Sequence, residues 1–227
     1  MDDFTGFDDD ALGTLRALPG WTKQDRAADK DAYDHLVETT KLFAQAMGDR
    51  IRETVSDTVT VDPRINGSIS PFNRDLRFVE DRSRPYKDNL MVNFWDGADK
   101  KASPTLRVRV TPSHTGFGAG TVFTKTGLEG WRSTVAGVGG EDLAAALDDL
   151  ATAHPNLDQP EPELKRVPGD VDPDHPRGDL LRHKSLLVRW EEPNPSSIGS
   201  AEFVDWCGDR LDDLGPVHRW LLTTSRQ

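Results

Sequence analysis

The sequence predicts an α+β fold, with an N-terminal helical hairpin, a central and largely antiparallel sheet, and C-terminal helices packed on it. Three observations predict this. Apolar residues recur at helical spacing near both ends, period-two alternation takes over between them, and helical and strand patterns are grouped instead of alternating as βαβ units.

The elements follow in chain order. The acidic triplet Asp8–Asp10 precedes Leu12, Leu15 and Leu18, so a short helix begins where negative charge complements its dipole, and Pro19-Gly20 ends it. A long helix starts near Asp29 or Asp31. Its stripe is Tyr33, Leu36, Val37, Phe43, Met47, Ile51 and Val55. Beyond Thr58 the period changes, with turns at Asp62-Pro63 and Asn66-Gly67. Asn89–Trp95 is apolar and β-prone, and Thr105–Thr111 alternates strictly, placing Arg107 and Arg109 on the solvent side of a strand. The glycines of TGFGAGTVF are read as a hairpin turn over Pro112–Gly118, ahead of a short strand around Thr121–Thr124.

Helix returns over Leu128–Val135 and Glu141–His154, and Pro155 stops it. Residues 155–179 hold six of the fifteen prolines and form an extended excursion. Order resumes over Asp179–Trp190, as a strand alone or as a short helix leading into one. A last helix presents Phe203, Trp206, Leu211, Leu214, Val217 and Leu221. At 227 residues the expectation is a single α+β domain over 1–227.

Charge and composition exclude several functions. A net charge of −11 argues against nucleic-acid binding, which depends on a basic surface. No segment reaches the roughly 18 apolar residues of a membrane span, so no membrane partner is expected. The start, MDDFTGFDDD, is acidic where a secretory signal is basic, and the lone Cys207 permits no intrachain disulfide. The expected location is cytoplasmic. Cys207, beside Trp206 on the last helix, reads as a buried thiol.

The familiar chemical motifs are absent: no phosphate loop, no nucleophile elbow and no zinc-binding helix pattern, and the sequence leaves the cofactor unknown. Asp170, Asp172 and Asp174 alternate like the start of a calcium loop. His175 stands where that loop needs glycine and Leu181 where it needs glutamate, which excludes an EF-hand. Asx-turns beside prolines are the preferred reading, with a looser metal site on Asp172, Asp174 and His175 as the alternative, and no metal is assigned.

Two segments concentrate basic residues. Residues 64–89 carry Arg64, Arg74, Arg77, Arg82, Arg84 and Lys87 against Asp75, Glu80, Asp81 and Asp88. Residues 164–190 carry Lys165, Arg166, Arg177, Arg182, Lys184 and Arg189 against four aspartates, with His175 and His183. Guanidinium forks suit carboxylate and phosphate. If both segments face one cleft they form a positive pocket within a negative protein. The competing reading is a lattice of surface ion pairs worth little each.

The stretches NRDLRF, RPYKDNLMVNFW, GFGAGTVF and ELKRVPGDVDPDHPRGDLLRHKSLLVRW resemble the bacterial family named domain of unknown function 2461. That family shows R-D-x-R-F, then P-Y-K, then L-K-R-x-P-x-G-x-x-x-x-H-P with L-L-x-x-K. Here the spacer VEDRSR replaces the usual S-x-D-K-T, with Arg82 or Arg84 in place of its lysine, and Gly169 directly follows Pro168. The resemblance implies a one-domain α+β protein. It matches Arg74, Asp75, Arg77, Pro85, Tyr86, Lys87, Lys165, Arg166, His175 and Lys184 to recurring positions, and it implies no reaction.

The resulting expectation is a local basic pocket for a small phosphate- or carboxylate-bearing ligand. Arg74, Asp75, Arg77, Arg84, Tyr86, Lys87, Lys165, Arg166 and Lys184 would line it, and His175 and Tyr86 would be the candidates for proton transfer. The alternative is a non-catalytic interaction module whose basic motifs are ion-pair networks.

Overall fold

The computed structural model describes residues 3–78, 81–169 and 171–225, so Asp170 and Glu80 of the segments above lie outside the described residues. In chain order the elements are α1 (Asp9–Ala17), α2 (Lys23–Ala28), α3 (Lys30–Thr54), β1 (Leu90–Trp95), β2 (Thr105–Val110) and β3 (His114–Val122). After β3 come α4 (Lys125–Ala136), α5 (Gly139–Ala153), α6 (Gly178–Leu181), β4 (Ser185–Pro193) and α7 (Glu202–Ser225). This is the α+β arrangement expected.

Local chemistry explains the helix starts. The Asp8 side chain accepts the Ala11 N–H at 2.8 Å, capping α1, and also meets His35 of α3 at 2.9 Å. Thr22 and Asp25 form a reciprocal capping box for α2, which buries no residue and so shows no apolar stripe. The α3 stripe buries Tyr33, Leu36, Phe43, Met47 and Ile51 as its spacing requires.

The four strands form one antiparallel sheet in the order β1-β2-β3-β4. The β2–β3 turn is only Pro112-Ser113, and Thr111 ties it. The Thr111 N–H donates to His114 O, and the His114 N–H donates to Thr111 Oγ1, each at 2.8 Å. One sheet face is apolar: Val92 and Phe94, Leu106 and Val108, Phe117 and Ala119, and Leu186 and Val188 are all buried. The helices α3 and α7 cover this face, with Phe43 stacked on Phe203 at 5.5 Å. Arg50 of α3 donates to Asp212 of α7 at 2.7 Å and locks the two helices. Gly208 makes room for it, since a Cβ there would lie 2.7 Å from Arg50 Nε.

The turn expected over Pro112–Gly118 is a correction. Gly116, Gly118 and Gly120 lie inside β3, paired with β2 on one side and β4 on the other. Their period of two sets all three on the face away from the helices, while Phe117 and Ala119 point into the core. Close backbone approach explains the most constrained of them. A Cβ on Gly120 would stand 2.1 Å from the Leu186 carbonyl oxygen.

The described residues of the excursion over 155–179 are irregular up to Arg177, as expected, but they are held. Asp158 exchanges backbone hydrogen bonds with Arg189, and the Leu164 N–H donates to Arg182 O at 3.1 Å. No helix among the described residues is long and apolar enough to cross a membrane.

Candidate functional site

The sheet face opposite the helices is a trough. Register places its side chains in rows: Met91, Arg109, Gly116 and Glu191, then Asn93, Arg107, Gly118 and Arg189. Because β3 contributes only glycine to these rows, its backbone is the floor. Arg107 and Arg189 flank Gly118 from two strand spacings apart, about 10 Å. Asn156 and Asp158 close the β4 side, and the trough encloses about 610 Å³.

The three arginines differ in their partners. Arg189 Nε donates to Asp158 Oδ2 at 2.7 Å. Arg109 lies 3.4 Å from Glu191 and 3.7 Å from Asp88. The hydrogen bond from Asn89 and then the charges of Arg109 and Arg74 hold the Asp88 carboxyl below its ordinary pKa, against the effect of burial. Arg107 has no carboxylate partner among the described residues. Its Nε is buried without an acceptor, and burial pushes its guanidinium pKa below the ordinary value. With Arg109 and Arg189 compensated, Arg107 is the arginine of the trough that lacks a carboxylate partner among the described residues.

The residues nominated from the sequence are not brought together in one concavity. The first basic segment runs beside β1, where the Ser70 N–H donates to Met91 O and the Asn93 N–H to Ser68 O. The second runs beside β4, three strand spacings or about 14 Å across the sheet. On the β1 side Arg77 pairs with Asp75 at 2.6 Å, with both side chains largely exposed. Arg84 is exposed and acts on the carboxyls of Asp25 and Asp81. Tyr86 is buried, its ring 6.3 Å from that of Tyr33. The Lys87 ammonium donates to Pro71 O at 2.8 Å, and burial lowers its pKa.

On the β4 side Lys165, Arg166 and Lys184 are exposed. Lys184 contributes its backbone N–H, which donates to Glu163 at 2.7 Å. His175 faces the last turn of α4: Nε2 lies 3.2 Å from Ala136 O, and Nδ1 accepts the Arg177 N–H at 3.0 Å. Arg177 completes this cap, donating to Val135 O at 2.7 Å and Gly137 O at 2.9 Å. The HPR triplet therefore satisfies carbonyls that α4 leaves open. Asp172 accepts the Asp174 N–H at 2.9 Å, an Asx-turn of the kind preferred above. No group of three or more His, Cys, Asp or Glu among the described residues is placed to hold a metal ion. Cys207 is buried, which raises its thiol pKa well above the ordinary value.

Arg107, Arg109, Gly116 and Gly118 were not nominated from the sequence, although Arg107 and Arg109 were placed on a solvent face. The signal available was the period-two spacing of the glycines, which is a strand period.

A four-stranded antiparallel meander, backed by helices on one face and open as a trough on the other, defines an α+β protein with a single free sheet face. The chain belongs to the family described as "Conserved hypothetical protein (DUF2461)", whose model matches residues 21–220. No curated protein matches it.

Proposed function

We propose that the protein binds a small phosphate- or carboxylate-bearing ligand in this trough, with Arg107 as its anchor and Arg109 and Arg189 on either side. Arg107 carries the proposal. A half-buried guanidinium without an acceptor is costly, and an anion supplies the charge-assisted hydrogen bonds that it lacks. An unpaired guanidinium in a low-dielectric trough also draws small anions in an otherwise acidic protein. Of the nominated residues, Arg74 joins the site through Asp88, while Arg84, Lys165, Arg166 and Lys184 act at longer range as exposed cations. The setting proposed is a soluble, cytoplasmic, single α+β domain that binds no nucleic acid.

Thermal melting at constant ionic strength tests this. Phosphate, sulfate or citrate should raise Tm saturably over chloride. The rise should vanish in Arg107→Met and persist in Arg166→Met. If none of the three anions shifts Tm, the site reading fails.

A second reading, an interaction module whose basic motifs are ion-pair networks, is favoured by the local pairs Arg64–Asp62, Arg77–Asp75 and Arg182–Asp179. Its mark would be a stable complex with an acidic partner that dissociates when Arg64 and Arg77 are both changed to Gln.

A further inference from the structure

We infer a second binding site, separate from the trough, whose ligand is a neutral polyhydroxylated molecule of sugar type. A cavity of about 580 Å³ lies between the loops after α3 and β1, the first turn of α4 and the end of α7. That size falls within the range of about 300–1,000 Å³ usual for small-molecule sites. Six hydroxyls line it, from Thr58, Thr60, Ser103, Thr124, Thr126 and Thr224, with no lysine or arginine among the lining residues.

Three of these hydroxyls already have work. Thr58 donates to Asp96 Oδ1 at 2.7 Å, Thr124 accepts the Gly127 N–H at 3.1 Å, and Thr224 donates to Trp220 O at 3.2 Å. Those of Thr60, Ser103 and Thr126 have no hydrogen-bond partner among the described residues. A hydroxyl both donates and accepts, so three uncommitted ones in one cavity match a ligand whose groups do the same.

Charge narrows the class further. Asp96 stands in the cavity wall. Its Oδ2 meets His218 Nε2 at 2.7 Å deep in the protein, and both residues are buried. That carboxylate repels anions, and with His218, Thr58 and Ser56 already bonded to it one acceptor site remains. The positive end of α4 faces the same space through Thr126 and Gly127 and opposes a cation. A neutral ligand satisfies both. Phe123, half-buried and packed 4.6 Å from Trp131, supplies the apolar wall that the C–H face of a sugar ring needs.

Saturation-transfer NMR on the full chain, titrated with ribose, glucose and sucrose, tests the assignment. At least one neutral sugar should bind saturably in the millimolar range or tighter. Glucose 6-phosphate and glucosamine should bind at least tenfold more weakly than glucose. Thr126→Trp, at an exposed position on the rim, should abolish binding, and Thr60→Val should weaken it severalfold without a steric change. Arg107→Met, which lies in the trough, should leave it unaltered. Failure of all three sugars to saturate, equal binding of the charged analogues, or retained affinity in Thr126→Trp and Thr60→Val would overturn the inference.

Discussion

Replacing Arg107 with methionine should make the protein more stable, whereas the same change at Arg50 should make it less so. Both side chains are arginines partly withdrawn from water, and they differ in what receives their hydrogens. Arg50 is bound to Asp212 at 2.7 Å and has Asp209 at 3.4 Å. Arg107 has a buried Nε with no acceptor.

An unsatisfied buried donor costs about 1–3 kcal/mol. The lower end applies to Arg107, because the side chain is only half-buried and part of the guanidinium meets water. Methionine keeps the apolar stem and removes the donor, for a gain of about 1 kcal/mol. In a chain of this length that is about 2–4 °C in Tm. At Arg50 the loss is about 1–2 kcal/mol, discounted because Asp212 is 36% exposed and water can take over part of its hydrogen bonding. The measurement is paired thermal melting in Tris chloride without phosphate or carboxylate. If Arg107→Met lowers Tm as much as Arg50→Met does, Arg107 is a structural residue and the reasoning behind the trough collapses.

Three further outcomes are expected. Gly120→Ala should destabilise by at least about 2 kcal/mol, because its Cβ meets the Leu186 carbonyl at 2.1 Å, while Gly116→Ala should be nearly silent, with its nearest neighbour at 3.4 Å; urea denaturation separates them. Arg177→Ala should uncap α4, and amide hydrogen exchange should quicken in its last turn while α7 stays protected. Burial alone would raise the Asp96 carboxyl, but hydrogen bonds from His218, Thr58 and Ser56 prevail and hold it below the ordinary 3.8. Its contribution is therefore full above pH 3.8 and fades as pH falls through the lower folded value. The stability gap between wild type and Asp96→Asn, measured by urea denaturation, should narrow as pH falls below 3.8; a gap that widens there would contradict this.

Periodic apolar residues made most of the fold legible. The α3 stripe and the alternation of β2 are long enough that packing had only to agree with them. The helix α2 was missed because nothing on it is buried; its sign was the short-range pair Thr22 and Asp25. In β3 a local cue competed with the true one. Three glycines in five residues resemble a turn, and the strand shows only in the other half of the alternation, through Thr115, Phe117, Ala119 and Thr121.

The candidate site was hidden for a different reason. Arg107 and Arg109 look like any solvated strand face until the sheet order sets them beside a bare strand and opposite Arg189. The charged segments drew attention because they are contiguous in sequence, yet many of their charges pair with near neighbours, as Arg77 does with Asp75 and Arg182 with Asp179.

The bare strand has a consequence for how such a protein can change. Since β3 gives the three central rows of the open face only glycine, the chemistry there is written at positions 91, 93 and 95 of β1, 105, 107 and 109 of β2 and 187, 189 and 191 of β4. The core lies on the other side of the same strands, at 106, 108, 186 and 188. Substitutions can therefore accumulate at the first set while the second preserves the fold, so descendants of one scaffold could present open faces of different charge and shape without rebuilding their interior.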